Sequence, residues 1–149
     1  MTFPIKKSDD DAARLRAEDE LRRQEEANRK MNVLEETVHF AYDESDLSDA
    51  AKRTMDAKVV ILNNNPDVRL MIEGYADERG TMRYNEALGL RRANALRDYL
   101  SAAGLAPTRL DVISYGKRRP LSSGTSEADH AQNRRGEFTV LGHLAQPRE

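Results

Sequence analysis

The stretch Gly74-Tyr75-Ala76-Asp77-Glu78-Arg79-Gly80, followed by Asn85, Leu88 and Arg92-Ala93, decides how this chain folds. Just before it, Val68, Leu70 and Ile72 alternate with Arg69, Met71 and Glu73, the pattern of a strand with at least one buried face. Just after it, a helix is expected from about Met82 to Ala103. At ~100° per residue, Asn85, Arg92, Leu96, Tyr99 and Ala103 fall nearly on one line, with Leu100 beside it. Arg91 and Asp98 point elsewhere, toward water. The junction therefore carries a carboxylate, and the core-facing stripe of the helix carries an arginine. A guanidinium in that position needs an anionic partner, because an unpaired buried charge is costly. Asp77 and a ligand carboxylate are both candidates, and so is a structural salt bridge at the rim of the core.

Working outward, Thr37 to Tyr42 reads as a strand, from its β-branched and aromatic residues. Ser48 is a cap for a helix with Ala51, Met55, Val59 and Leu62 on one face. Asn63-Asn64-Asn65-Pro66 ends that helix. Gly104 terminates the second helix and Pro107 prevents its restart. Leu110 and Val112 mark a third strand, with Ile113 and Tyr115 on its other face. Ser126 with Asp129 resembles a capping box for a short helix reaching Asn133, and Gly136 to Leu141 is the last strand. The expected fold class is α+β, in the order β-α-β-α-β-(α)-β. Two of its crossovers are long enough for parallel pairing.

The 149 residues suit one domain plus a tail. Residues 8 to 36 mix acids and bases with few large apolar side chains, so residues 1–36 read as a charged tether, partly helical or disordered. A coiled-coil segment is the sharper alternative, but no heptad of large apolar residues supports it. The globular domain spans 37–142, and 143–149 is expected to fray. Cysteine is absent, which excludes disulfides and thiolate chemistry. His39, His130 and His143 show no ligand spacing and read as surface or edge residues, so no metal or other cofactor is expected. No apolar run approaches the ~20 residues of a membrane span, and Met1 to Lys7 has no export-signal core.

Catalytic patterns are missing as well. Gly74 to Gly80 has neither a dinucleotide nor a P-loop spacing, and Asp77 and Glu78 would repel phosphate. No Gly-x-Ser-x-Gly elbow exists. Adjacent carboxylates on an extended segment point apart, so Asp77 and Glu78 are no acid–base pair. No enzyme is expected. The basic runs Lys117-Arg118-Arg119 and Arg134-Arg135 are small, lack interleaved aromatics and sit in a chain of net charge -2, so they read as solvated loop charge rather than a nucleic-acid site. If the last strand already runs at Arg134-Arg135, only one of the two can join Arg92 at a shared site. What remains is recognition of a small zwitterion. Asp77 accepts from an ammonium, Arg92 offers a fork for a carboxylate, Asn85 donates and accepts, and Leu88 supplies an apolar wall.

These residues, with Tyr84-Asn85, Ala87-Leu88-Gly89, Ser114-Tyr115-Gly116-Lys117, Pro120 and Asn133-Arg134-Arg135, resemble the peptidoglycan-associated lipoproteins and, more broadly, the OmpA-like C-terminal domain. The resemblance runs over roughly residues 37 to 141. It implies helices on one side of a mixed four-stranded sheet, and non-covalent binding of the peptidoglycan stem peptide. Asp77 and Arg92 match the pair that holds the free amino-acid end of meso-diaminopimelate. Asn85, Leu88 and Arg134 match residues around that pocket, and Phe40 and Asp43 match the loop bordering it. The resemblance also implies a periplasmic location, an outer-membrane link through a lipidated Cys that this chain does not contain, and a TolB-type β-propeller partner. Two other readings stay open: an adaptor of the Tol system, and the wall-anchoring domain of a porin-type or flagellar-motor protein. Tyr75 stands where the family often has His, which is expected to alter the pocket rim, and Gly136 departs from the usual branched or small apolar residue.

Overall fold

The computed structural model describes residues 9–142 and residue 144. The first element is a helix of 27 residues, α1 (Asp9–Glu35). Its own surface holds it together. Asp9, Asp10 and Asp11 face the positive end of the helix dipole. Arg14 lies 3.7 Å from Asp11 and 3.9 Å from Glu18, Arg23 lies 2.9 Å from Glu20, and Lys30 lies 4.0 Å from Glu26. Each exposed pair contributes only about 0.3–0.5 kcal/mol, yet all favour the helix.

The sequence reading ended the tether before the domain, and the structure differs at that junction. Leu34, in the last turn of α1, is fully buried in the core. The following segment forms strand β1, which is only Val38–His39 rather than residues 37–42. Beyond it the chain stays beside its partner through a main-chain bond, Phe40 N–H to the Arg134 carbonyl at 2.9 Å. The expected tail, 143–149, lies outside the described residues apart from residue 144.

Helix α2 (Asp49–Asn64) is capped by Ser48, whose hydroxyl accepts from the Ala51 amide. Its buried face is Ala51, Met55, Lys58 and Leu62. Lys58 stands where apolar periodicity placed only Val59. Strand β2 (Arg69–Tyr75) follows, then helix α3 (Met82–Ala102), capped by Thr81 and ended at Gly104 with φ +102°. A 3-10 turn (Pro107–Arg109) leads into β3 (Leu110–Gly116). The short helix α4 (Glu127–Asn133) has the expected Ser126–Asp129 capping box, and β4 (Arg135–Leu141) begins one residue earlier than expected.

The sheet order is β1-β4-β2-β3. Only β2 and β3 pair in parallel, through the α3 crossover, while β4 runs antiparallel to both β1 and β2. The α2 crossover joins strands that run the same way but are separated by β4. This is the mixed four-stranded sheet expected. One face carries Leu70, Ile72, Gly136 and Phe138 against α2, α3 and the end of α1; Leu62, Leu96 and Leu100 fill the space between.

Two glycines set how closely α3 lies on the sheet. A Cβ on Gly74 would stand 1.7 Å from the Gly89 carbonyl oxygen, and a Cβ on Gly89 would stand 2.4 Å from Ser114 Oγ. No side chain fits between them, so β2 and α3 meet backbone to backbone. That contact presses the N-terminal half of α3 against the loop that follows β2. Gly136 also has a packing reason: Leu96 Cδ1 lies 2.3 Å from where its Cβ would be.

The other sheet face carries a stack of rings and guanidinium groups. Arg135 lies 3.8 Å over the Tyr75 ring, Tyr75 stacks on Tyr115 at 5.4 Å, and Arg119 lies 3.9 Å over Tyr115. Arg119 and Arg135 are therefore engaged, and Arg135 is buried, not solvated loop charge.

Candidate functional site

At the C-terminal end of β2 the chain leaves the sheet and turns at Asp77. The Arg79 amide donates to Asp77 Oδ1 at 3.0 Å, a local turn closed by the aspartate itself. Asn85, one turn into α3, donates to the carbonyls of Arg79 (2.8 Å) and Thr81 (2.8 Å), so the loop is fastened at both ends. Between them opens a cleft of about 160 Å³, lined by Tyr42, Asp43, Asp77, Arg79, Gly80, Tyr84, Asn85 and Leu88.

Asp77 is 5% exposed, and its carboxylate meets cations on two sides. The Arg79 side chain donates through Nη2 to Oδ2 at 2.6 Å and through Nε to Oδ1 at 3.2 Å. Arg134 Nη1 stands 3.8 Å from Oδ2. Burial opposes ionisation of Asp77, but the hydrogen bonds and charge of Arg79 outweigh it and hold the carboxyl below its ordinary value. The cleft therefore presents a fixed, buried negative charge. Asp43, in left-handed backbone at φ 56°, accepts from the Tyr84 hydroxyl across the cleft. Tyr42 and Tyr84 are both exposed and form an aromatic rim.

Arg92 is fully buried, as its place on the core stripe required. Its partners differ from the anion expected. Nε donates to the Glu44 carbonyl at 2.8 Å, Nη1 to the Tyr75 carbonyl at 2.9 Å and Nη2 to the Ala41 carbonyl at 3.1 Å. Its guanidinium carbon lies 5.2 Å from the centre of the Phe40 ring. Three main-chain oxygens with strong partial charge replace a carboxylate, and their directions match the planar fork. Burial pushes Arg92 down to about 10, against the pull of Asp77, so it stays charged at neutral pH. Arg92 thus ties the loop after β1 to the end of β2 and places a positive charge beneath the cleft.

Of the seven residues expected at the site, Asp43, Asp77, Asn85 and Leu88 line the cleft. Arg92, Arg134 and Phe40 support it from below. Arg134 Nε donates to the Phe40 carbonyl at 3.0 Å, and Nη1 reaches Glu127 at 3.0 Å and Asp77 at 3.8 Å. Arg135, the first residue of β4, points to the opposite sheet face, while Arg134 precedes the strand as the C-cap of α4, so one arginine of the pair joins the site. The sequence reading did not assign Arg79, Tyr42, Tyr84 or Glu127. A signal for Arg79 was present, since a residue two after an aspartate turn is held beside its carboxylate. Tyr75 is not at the rim. Its ring lies in the stack on the far face, and it serves the site only through its carbonyl. His130 is 8% exposed and so is neither a surface nor an edge residue.

This architecture has known counterparts. A model of the OmpA family matches residues 39–134. The chain belongs to the OmpA family. It is 46% identical over 102 residues to the peptidoglycan-associated lipoprotein of Pseudomonas aeruginosa, covering 68% of this chain and 60% of that protein. It is also 46% identical over 99 residues to the peptidoglycan-associated lipoprotein of Legionella pneumophila, covering 66% of this chain and 56% of that one. The chain thus spans under two thirds of the length of these relatives. The crystal structure of the peptidoglycan-associated lipoprotein from Burkholderia pseudomallei superposes with a TM-score of 0.69 at 35% identity, over 70% of this chain and 89% of that one. The C-terminal domain of Helicobacter pylori MotB, at 19% identity and a TM-score of 0.67 over 72% of this chain and 85% of that one, shares the fold. Among the described residues of this OmpA-family domain, no group of three His, Cys, Asp or Glu is placed to hold a metal ion, and no helix is long and apolar enough to cross a membrane.

Proposed function

We propose that the cleft binds peptidoglycan non-covalently through the meso-diaminopimelate of its stem peptide, and carries out no chemistry on it. The observation that carries this reading is Asp77, a buried and ionised carboxylate on the floor of a small open cleft. Such a group is an acceptor for an ammonium. Arg92 beneath and Arg134 beside it supply positive charge for the carboxylate on the same carbon. Asn85 and Leu88 fit the short polar and apolar parts of an amino-acid end, and Tyr42 and Tyr84 flank the entrance. The names borne by the relatives in Pseudomonas and Legionella support peptidoglycan as the binding partner. On this reading the domain works in the periplasm, as a link between the cell wall and the outer membrane where the native protein is lipidated.

Asp77→Asn tests the reading. The amide keeps the shape and can still accept from the Arg79 amide, so the turn survives. Loss of the charge is expected to weaken binding to purified sacculi by ~30-fold or more, the usual consequence of removing one member of a buried charge pair. Unchanged sacculus pull-down by a folded Asp77→Asn protein would overturn the assignment. A stem peptide with lysine in place of diaminopimelate lacks the carboxylate and is expected to bind more weakly in calorimetry.

A further inference from the structure

We propose that Arg79 is a competitor built into the site: its guanidinium occupies Asp77 in the empty protein and must leave before a ligand ammonium can bind. This inference rests on the cleft being the ligand site and concerns how that site is regulated. Both oxygens of Asp77 are in use. Oδ2 accepts from Arg79 Nη2 at 2.6 Å, and Oδ1 accepts from Arg79 Nε at 3.2 Å and from its amide at 3.0 Å. A ligand cation approaching through the cleft meets a carboxylate already answered by a fork of the same charge.

The geometry also shows why this occupant can leave. The Arg79 side chain is 37% exposed, whereas that of Asp77 is 6% exposed. On its outer side the guanidinium lies 4.0 Å from the centre of the Tyr42 ring, and Nη1 lies 3.7 Å from Glu127 Oε2. Glu127 has a side chain that is 69% exposed, so it can receive the displaced cation without desolvation. The amide of Arg79 holds Asp77 Oδ1 separately from the side chain. When the guanidinium swings out, the carboxylate keeps its orientation. Arg92, by contrast, is fixed on three carbonyls and does not exchange.

Such an occupant acts on every ligand alike. The apparent dissociation constant is the intrinsic one divided by the fraction of protein in which Asp77 is free. A pair closed about 90% of the time weakens binding about 10-fold, whatever else the ligand touches. A lone amine then replaces one cation with another for little gain. A zwitterion adds a second contact and overcomes the closed pair.

The test is calorimetry on the full chain with two synthetic tripeptides, L-Ala-γ-D-Glu-meso-diaminopimelate and its lysine counterpart. The proteins are wild type, Arg79→Gln and Arg79→Lys. Arg79→Gln is expected to bind both peptides roughly 10-fold more tightly, with the ratio between them unchanged, and Arg79→Lys to lie between. In the empty protein, NMR titration is expected to move the Asp77 carboxyl of Arg79→Gln up toward the ordinary carboxylate value. Equal or weaker binding by Arg79→Gln would overturn the proposal, because Arg79 would then contribute to the ligand or be irrelevant to it. Gains that differ strongly between the peptides would overturn it too. If no protein binds either peptide, the cell-wall reading falls and takes this inference with it. If wild type binds and only the gain is missing, the cell-wall reading stands and Arg79 is no competitor.

Discussion

At the cleft the buried charge is a carboxylate, Asp77, and side chains answer it: Arg79 and Arg134. Over the Phe138 ring the buried charge is an ammonium, Lys58, and main-chain carbonyls answer it. Lys58 Nζ donates to Val33 (2.8 Å), Leu34 (2.9 Å) and Glu36 (2.8 Å), at the C-terminal end of α1, and lies 4.1 Å over the Phe138 ring. A side-chain partner can rotate away; a carbonyl in a folded backbone cannot. The first arrangement leaves a site open to exchange, and the second is a fastening. Arg92 belongs with Lys58 in this respect, although it lies directly under the cleft.

The largest expected effect comes from breaking the fastening nearest the site. Arg92→Ala empties a fully buried position and leaves the carbonyls of Ala41, Glu44 and Tyr75 without their donor, that of Tyr75 in a buried bond. The expected loss is about 3–5 kcal/mol in urea denaturation. Loss of sacculus binding by Arg92→Ala would therefore report the fold as much as the ligand. A loss below about 1 kcal/mol would mean that Arg92 is not fastened as described, and the contrast with Arg79 would fail.

Leu34→Ala is expected to come next, at about 3 kcal/mol, because it empties a fully buried position between the end of α1 and the core. Binding to sacculi should survive in the folded protein, since Leu34 does not line the cleft. A surface-like cost below about 0.5 kcal/mol would return the last turn of α1 to the tether.

A smaller effect concerns pH. Burial pushes Lys58 down to about 7, with Glu36 and Glu35 opposing. An unfolded lysine keeps its proton up to its ordinary value near 10.5. Between these values the unfolded chain binds more protons than the folded one, so stability rises with pH. From pH 7 to pH 9 a gain of about 1–2 kcal/mol is expected from this group, and Lys58→Met should lack it. A wild-type gain no greater than that of Lys58→Met would show that the carbonyls keep Lys58 fully charged.

The smallest effect is expected from deleting residues 1–22. The described residues among them, 9–22, contribute exposed ion pairs, and the change in stability should stay within about 0.5 kcal/mol. Extending the deletion through residue 36 removes Leu34 and the carbonyls held by Lys58, and should cost as much as Leu34→Ala or more. Equal melting temperatures for the two truncations would erase the difference between the shaft of α1 and its base.

Much of this was legible in the chain itself. Alternation at Val68, Leu70 and Ile72, the caps at Ser48 and Ser126, and the stop at Gly104 are local effects, and they depend on bonds within a few residues. The charge of Asp77 and the burial of Arg92 were legible for the same reason, because helical spacing alone puts Arg92 inside. The sequence could not show what Arg92 bonds. Its acceptors, Ala41, Glu44 and Tyr75, come from two segments that meet only after the sheet forms, and any residue type can supply a carbonyl. Lys58 was missed on the same ground: a lysine in an amphipathic helix reads as solvated until the end of another helix covers it. Composition and spacing thus determined the elements, their order and the presence of a buried acid. Only the tertiary structure decided which cations are fixed and which can exchange, because that depends on whether the partner is a backbone oxygen or a side chain, and on how much water reaches it.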